Sequence, residues 1–163
     1  MSLVPLLLAE FDQEMQSTQK TLERVPADKW DWKPHDKSGN LGWLAGHVAT
    51  LPRFVVPVVG ESKMDISGYP SPKVNHPSEL LEAFAKSRED ARQALTTLKD
   101  DRLSETWTLT WEGKEIFSMP RYHVLRAMCF NHIVHHRAQL TVYLRLLDVP
   151  VPAIYGPSAD EQF

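Results

Sequence analysis

The chain has 163 residues, of which 42% are hydrophobic and 24% charged, and its 18 basic and 21 acidic side chains give a formal charge of −3. That length and mixture describe one domain, residues 1–163, with a core of its own. The interspersed signs leave no basic footprint for phosphates, which excludes nucleic acid as an expected partner.

The apolar start from Leu3 to Ala9 is short, lacks a positive leader and runs into Glu10, Asp12 and Glu14, so it is a poor signal peptide. Leu7, Phe11, Met15, Thr18, Leu22 and Val25 alternate at spacings of three and four and predict a first helix that ends before Pro26. From Pro26 to Asn40 the Trp30-Asp31-Trp32 cluster marks an ordered connection. A second helix runs from about Asn40 through His47, with a kink or end expected at Pro52 and Pro57. Residues 60–77, with Gly60, Gly68, Pro70, Pro72 and Pro77, read as a loop that shapes a pocket rim.

Ser78 is the expected cap of a third helix, with Glu79 and Glu82 in its first turn and Leu81, Phe84, Ala91, Leu95 and Leu98 on its core face. The charges from Lys86 to Arg92 form its solvated side. Thr106 to Trp111 alternates with period two, and Glu112-Gly113-Lys114 turns the chain back toward Ile116 and Phe117, which predicts a small hairpin. A last helix spans Pro120 to Leu147, with Leu125, Met128, Cys129, Leu140, Tyr143, Leu146 and Leu147 on its apolar stripe, followed by a proline-rich tail to Phe163. No run approaches the roughly 20 apolar residues that a bilayer crossing needs, so no membrane partner and a cytoplasmic protein are expected. The pattern is all-α: a four-helix bundle with a small β-hairpin before the last helix.

The last helix carries the chemistry. Positions four apart on a helix differ by about 40°, so His132 and His136 reach one point. With Leu125 as reference they lie about 20° to either side of the centre of the apolar stripe. Two imidazoles on a core stripe form either a metal pair or a hydrogen-bonded polar core. His135 sits at the margin and can pair with His132 at a spacing of three, whereas His123 faces solvent. Two nitrogens hold a divalent ion weakly, and His47, on a face shared with Trp43, Leu44, Leu51 and Phe54, is the best third ligand. The lone Cys129 lies one turn before His132; it is a fourth soft ligand or, more simply, a small buried hydrophobe.

Taken in order, Val25-Pro26-Ala27-Asp28-Lys29-Trp30-Asp31-Trp32-Lys33-Pro34-His35, the His47 segment, the His-x-x-His-His-Arg-x-Gln pattern from His132 to Gln139 and the tail from Tyr155 to Glu161 resemble the DinB-like (DinB/YfiT) family. The resemblance covers nearly the whole chain. It implies a four-helix bundle that binds a divalent metal through His47, His132 and His136, favouring His136 over His135, and a homodimer. Many members have glycine between the arginine and glutamine of the motif, where this chain has Ala138. Related bundles include thiol-dependent isomerases and transferases.

Three imidazoles leave a metal its full charge and suit zinc or nickel, with iron as a further candidate. Such a centre activates a low-molecular-weight thiol or water for transfer to, or hydrolysis of, a small electrophilic molecule. Trp43, Trp107, Trp111 and Tyr143 are candidates to line its pocket. Gln139 and Asn131 are placed to orient a ligand, Glu14 is a solvated flank or a general base, and Arg137, directed away from the histidines, is expected to pair with Asp160 or Glu161. The alternative is a metal-binding stress or sensing module without turnover, closed by a fourth protein ligand such as Cys129.

Overall fold

The computed structural model describes residues 2–69 and 73–162, so Pro70 and Pro72 of the expected rim loop and the terminal Phe163 lie outside the described residues. Four helices dominate: α1 (Val4–Leu22), α2 (Leu41–Thr50), which continues through a 3-10 turn (Leu51–Phe54) into the short α3 (Val55–Gly60), α4 (Leu80–Thr97), and a last helical stretch made of α5 (Arg121–Val124), a π turn (Leu125–Phe130) and α6 (Asn131–Leu146). α1 and α2 each pack against both α4 and α6, and also against each other. Their inward side chains, among them Phe11, Leu44, Phe84 and Ile133, form one continuous core.

α1 begins where expected of a helix with proline in its first turn, and its leading Leu3 and Val4 N–H groups donate at 2.9 and 3.0 Å to Asp100. A side chain from the loop after α4 thus takes the place of a local cap. The third helix starts differently from expectation. Ser78 does not cap it; a 3-10 turn (Pro77–Glu79) precedes α4, and the His76 ring accepts the Ser78 N–H. The shift puts Leu80 inside at 3% exposure and leaves Leu81 44% exposed.

The predicted hairpin forms, but it belongs to a three-stranded sheet. β1 (Lys63–Asp65) runs parallel to β2 (Thr106–Trp111), which pairs antiparallel with β3 (Lys114–Pro120). The fold is therefore mostly helical with a small sheet. β1 lay within the segment read as loop because three residues, of which only Met64 turns inward, carry too short a period to register. Opposite Met64 stands Leu109, which together with Trp107 seals the sheet against the helices.

Asp65 ties this sheet to its turn. Its carboxylate accepts the Ser67 N–H at 3.0 Å, the Thr110 hydroxyl at 3.1 Å and the N–H groups of Glu112 and Gly113 at 3.3 and 2.7 Å. Glu112 and Gly113 both have positive φ, 48° and 75°, the twist a tight hairpin prefers. The Ser67 hydroxyl, then the Gly113 N–H, hold the Asp65 carboxyl well below the usual carboxylate range. A depressed carboxyl pKa contributes stability above its unfolded value, near 4, and loses it as pH falls. Melting curves should therefore show Asp65→Asn destabilised at neutral pH by an amount that is constant down to about pH 4 and narrows only as the pH falls further; a gap that stays constant well below about pH 4 would refute this role.

The last helix is not one regular α-helix. In the π turn the Asn131 N–H donates to the Arg126 carbonyl, five residues back, which inserts an extra residue into the turn. Angles counted from Leu125 therefore fail beyond it. The inward line of α6 is Ile133, Arg137, Leu140 and Leu144, and Leu146, expected inside, is 58% exposed.

Leu41–Gly60 is long and apolar enough, by composition, to cross a membrane, contrary to the expectation that no run approaches that length. It is a core element: 67% of that stretch is buried inside the fold, and the 3-10 turn at Pro52 interrupts it. At its end the buried Arg121 side chain donates to the carbonyls of Val58 and Glu61, the latter at 2.8 Å, and pairs with Glu105 at 2.9 Å. The α3 carbonyls that lack helical partners are satisfied there.

Candidate metal centre

The Trp30-Asp31-Trp32 connection fixes the start of α2. Leu41 N–H donates to the Trp32 carbonyl at 2.7 Å, Gly42 N–H to the Trp30 carbonyl at 2.8 Å, and Trp43 N–H to the Asn40 side chain at 2.8 Å. Three of the four N–H groups that a helix start leaves unpaired are thereby used. The approach requires glycine at position 42, where a Cβ would lie 2.4 Å from the Trp30 ring. One turn later His47 stacks on Trp43, with ring centroids 5.3 Å apart and planes 10° from parallel.

α6 brings the other two rings. Relative to Ile133, His132 and His136 lie about 60–100° to one side at 100° per residue, so they flank the core line and face α2. One nitrogen from each of His47, His132 and His136 lies within 4.8 Å of the other two. The Nε2 atoms of His132 and His136 are 2.9 Å apart, and the His47 ring centroid is 5.4 Å from that of His132 and 4.6 Å from that of His136. Ligand nitrogens of a tetrahedral zinc are about 3.3 Å apart, given bonds of about 2.0–2.1 Å. The His132–His136 pair is slightly closer than that and all three nitrogens lie within 4.8 Å of one another, a grouping compatible with one shared divalent ion.

The far side of each α6 ring is held. His132 Nδ1 is 3.3 Å from the Met128 carbonyl, and His136 Nδ1 is 2.7 Å from the Gln139 side-chain oxygen. Donation from Nδ1 in both rings directs the two Nε2 lone pairs at each other, an arrangement that a shared cation reconciles. Burial, followed by the neighbouring His136 and His132, lowers the His47 pKa to about 4. Burial likewise lowers those of His132 and His136. All three rings are consequently neutral at pH 7, the form that ligates metal.

Gln139 thus touches a histidine as expected, although it is itself exposed; Asn131 is exposed too. Gln139→Leu removes the acceptor and frees the His136 ring to rotate. Loss of such an outer partner costs roughly 10–100-fold in metal affinity, and competition with a chromophoric chelator would measure it; unchanged affinity would rule the role out.

The remaining candidates separate cleanly. His135 and His123 are exposed and stand outside the cluster. Cys129 is fully buried and is not among the converging ligands; burial pushes its thiol pKa up, as for a small hydrophobe. Trp43 and Tyr143 border a cavity beside His136. Trp107 instead is completely buried, and Trp111, at the end of β2, is exposed. Another cavity, beside His47 and His132, is lined by Thr50, Phe54, Ile66, Tyr69 and Met128; Phe54 is expected on the His47 face, whereas sequence reasoning does not single out Ile66 and Tyr69 because they come from a short turn without periodicity.

Arg137 and Glu14 overturn their expectations together. Arg137 is 2% exposed and Glu14 7%. The guanidinium pairs with the Glu14 carboxylate at 2.7 Å and donates to the Glu14 carbonyl at 3.0 Å, the Thr18 hydroxyl at 3.2 Å and the Tyr155 hydroxyl at 2.6 Å. Tyr155 in turn donates to Glu14 at 2.7 Å. The tail carboxylates assigned to Arg137 are taken by others, Asp160 by Arg145 and Glu161 by Arg24. The rotation at the π turn explains the error, since it carries Arg137 to the core side. Glu14 and Thr18, one turn apart on the inner face of α1, are its buried acceptors.

Comparison with known proteins agrees with this architecture. The chain is 26% identical over 160 residues to the uncharacterized protein YrdA of Bacillus subtilis (strain 168), spanning 94% of this chain and 89% of YrdA. A DinB-like protein from Bacillus cereus ATCC 10987 superposes with a TM-score of 0.70 at 24% identity, covering 91% of this chain and 95% of that one. A second, from Bacillus subtilis, gives 0.72 at 19% identity over 89% and 96%. The family model described as the DinB superfamily matches residues 10–140, a span that includes all three clustered histidines. The chain belongs to the DinB superfamily.

Proposed function

We propose that this chain is a divalent-metal-dependent enzyme, in which His47, His132 and His136 on a four-helix-bundle scaffold hold zinc or nickel, or else iron. A bound divalent ion supplies the charge that makes water, or a low-molecular-weight thiol, nucleophilic at neutral pH. The three neutral rings bind without cancelling that charge, Gln139 and the Met128 carbonyl set the α6 rings, and the adjoining cavities admit a small electrophilic substrate. Transfer to the thiol, or hydrolysis, is the reaction class. The observation that carries this reading is the approach of three ring nitrogens, from two helices, to within 4.8 Å of one another.

The alternative, a metal-binding stress or sensing module, needs a site filled by protein ligands. Cys129 is the residue that sequence spacing offered for that purpose, and its absence from the cluster favours the enzyme. The same reading takes the chain as one cytoplasmic domain acting as a homodimer, with no nucleic-acid or membrane partner.

Elemental analysis of the purified chain, followed by assay of the metal-replete protein with 1-chloro-2,4-dinitrobenzene and an ester panel, with and without 2-mercaptoethanol, tests the proposal. Turnover that a chelator abolishes and metal restores is expected. Bound metal with no turnover in either arm would favour the module, and an absence of metal binding would end both readings.

A further inference from the structure

The cavity beside His47 and His132 has a composition that metal binding alone does not require. It is a partly open cleft of about 200 Å³ between Leu51, Phe54, Ile66, Tyr69 and Met128. The Thr50 hydroxyl at its edge already donates to the Gly46 carbonyl at 2.9 Å. What remains polar is the two histidine rings at one end and the Tyr69 phenol. Apolar cavities of roughly 150 Å³ are known to stay dry and to admit benzene, so this one has room for a single ring.

Its walls are held in place. Phe54 is buried edge-on between Tyr69, at 6.2 Å and 81°, and Trp107, at 6.0 Å and 72°, which braces the base. Ile66 and Tyr69 are half-buried and form the rim; they belong to the turn after β1 that the Asp65 hydrogen bonds tie to the sheet. A neighbouring pocket shares His47 and Thr50 but mixes Trp30, Trp43 and Val74 with Asn40, Lys73 and Asn75, so its lining is less uniformly apolar than that of the cavity beside His132.

Resting on the assignment of the three histidines as a metal centre, we propose that this cavity is a substrate subsite for an apolar group the size of one aromatic ring. The substrate is amphipathic, with its ring between Phe54 and Met128 and its reactive head toward His47 and His132. Specificity follows from where the two ends fit: apart from the Tyr69 phenol the cavity walls offer a polar head no free partner, whereas they surround an apolar ring.

Cobalt(II)-loaded protein titrated with benzyl mercaptan and with 2-mercaptoethanol, read by visible absorption, tests the subsite. Burial of a ring favours benzyl mercaptan by about tenfold to about a hundredfold. Ile66→Trp fills the rim and should erase that preference while cobalt stoichiometry and 2-mercaptoethanol affinity stay unchanged. Ile66→Lys, which puts a charge there instead, should do the same if the tryptophan variant misfolds by circular dichroism. Equal affinity for the two thiols in the natural chain, or a preference that survives in a folded variant, overturns the proposal. Toluene titrated by calorimetry into the metal-free chain reads the cavity separately. Toluene binding that Ile66→Trp removes, in a chain that takes no cobalt, would support the cavity and reject the metal centre; cobalt uptake without toluene or benzyl preference would do the reverse.

Discussion

Replacing His47 with alanine should lower metal affinity at least about a thousandfold, well beyond the roughly 10–100-fold attached to an outer-shell partner. α2 contributes only this ring to the cluster, and His132 and His136 alone are a two-nitrogen site on a single helix. His132→Ala with His136→Ala should abolish stoichiometric binding altogether. Because the rings flank the core, the variants should fold, and circular dichroism would verify this. Equal metal content in the natural chain, the single variant and the double variant, measured after dialysis against a weak chelator, would show that any ion sits elsewhere.

Arg137→Met should cost about 3–5 kcal/mol, because it strands a buried carboxylate whose partner has gone. For a chain of this size that corresponds to a melting temperature lower by about 6–20 °C. Tyr155 still reaches Glu14, so some compensation remains. Removing both charges in Glu14→Leu with Arg137→Leu should recover at least half the loss, since apolar pairs of similar volume commonly replace buried ion pairs without penalty. Metal affinity in the double variant should change little, which separates this ion pair from the ligand set. A single substitution costing under about 1 kcal/mol, within the range of surface pairs, would contradict the buried assignment.

The four helices were legible because each carries several turns of three-four spacing, a signal that a few misplaced residues do not erase. The clustering of the three histidines was legible for a related reason. His132 and His136 are separated by one regular turn, and His47 shares a face with core residues of another helix. Two kinds of information stayed hidden. Short segments such as β1 and the Ile66–Gly68 turn have no period to read, so residues 60–77 were legible as a rim-shaping loop but not as a strand, nor as the source of Ile66 and Tyr69 in the cavity wall. The π turn changed the angular count within a segment that looked uniformly α-helical, which misdirected Arg137 and Leu146. Glu14 was misjudged for want of its partner: an acidic residue inside a helix stripe reads as solvated until a buried arginine is placed opposite it.

The widened turn at Leu125–Phe130 also sets how this lineage can vary by insertion and deletion. Removing one residue there would let the backbone relax to ordinary helical pairing, a change the main chain tolerates readily. Yet everything downstream would swing by about 100° around the axis, carrying both rings out of reach of α2 and the guanidinium out of its buried nest. A single missing codon in this turn would therefore disperse the cluster while leaving all three histidines in the sequence, so matching the histidine motif alone would overcount chains that bring the rings together.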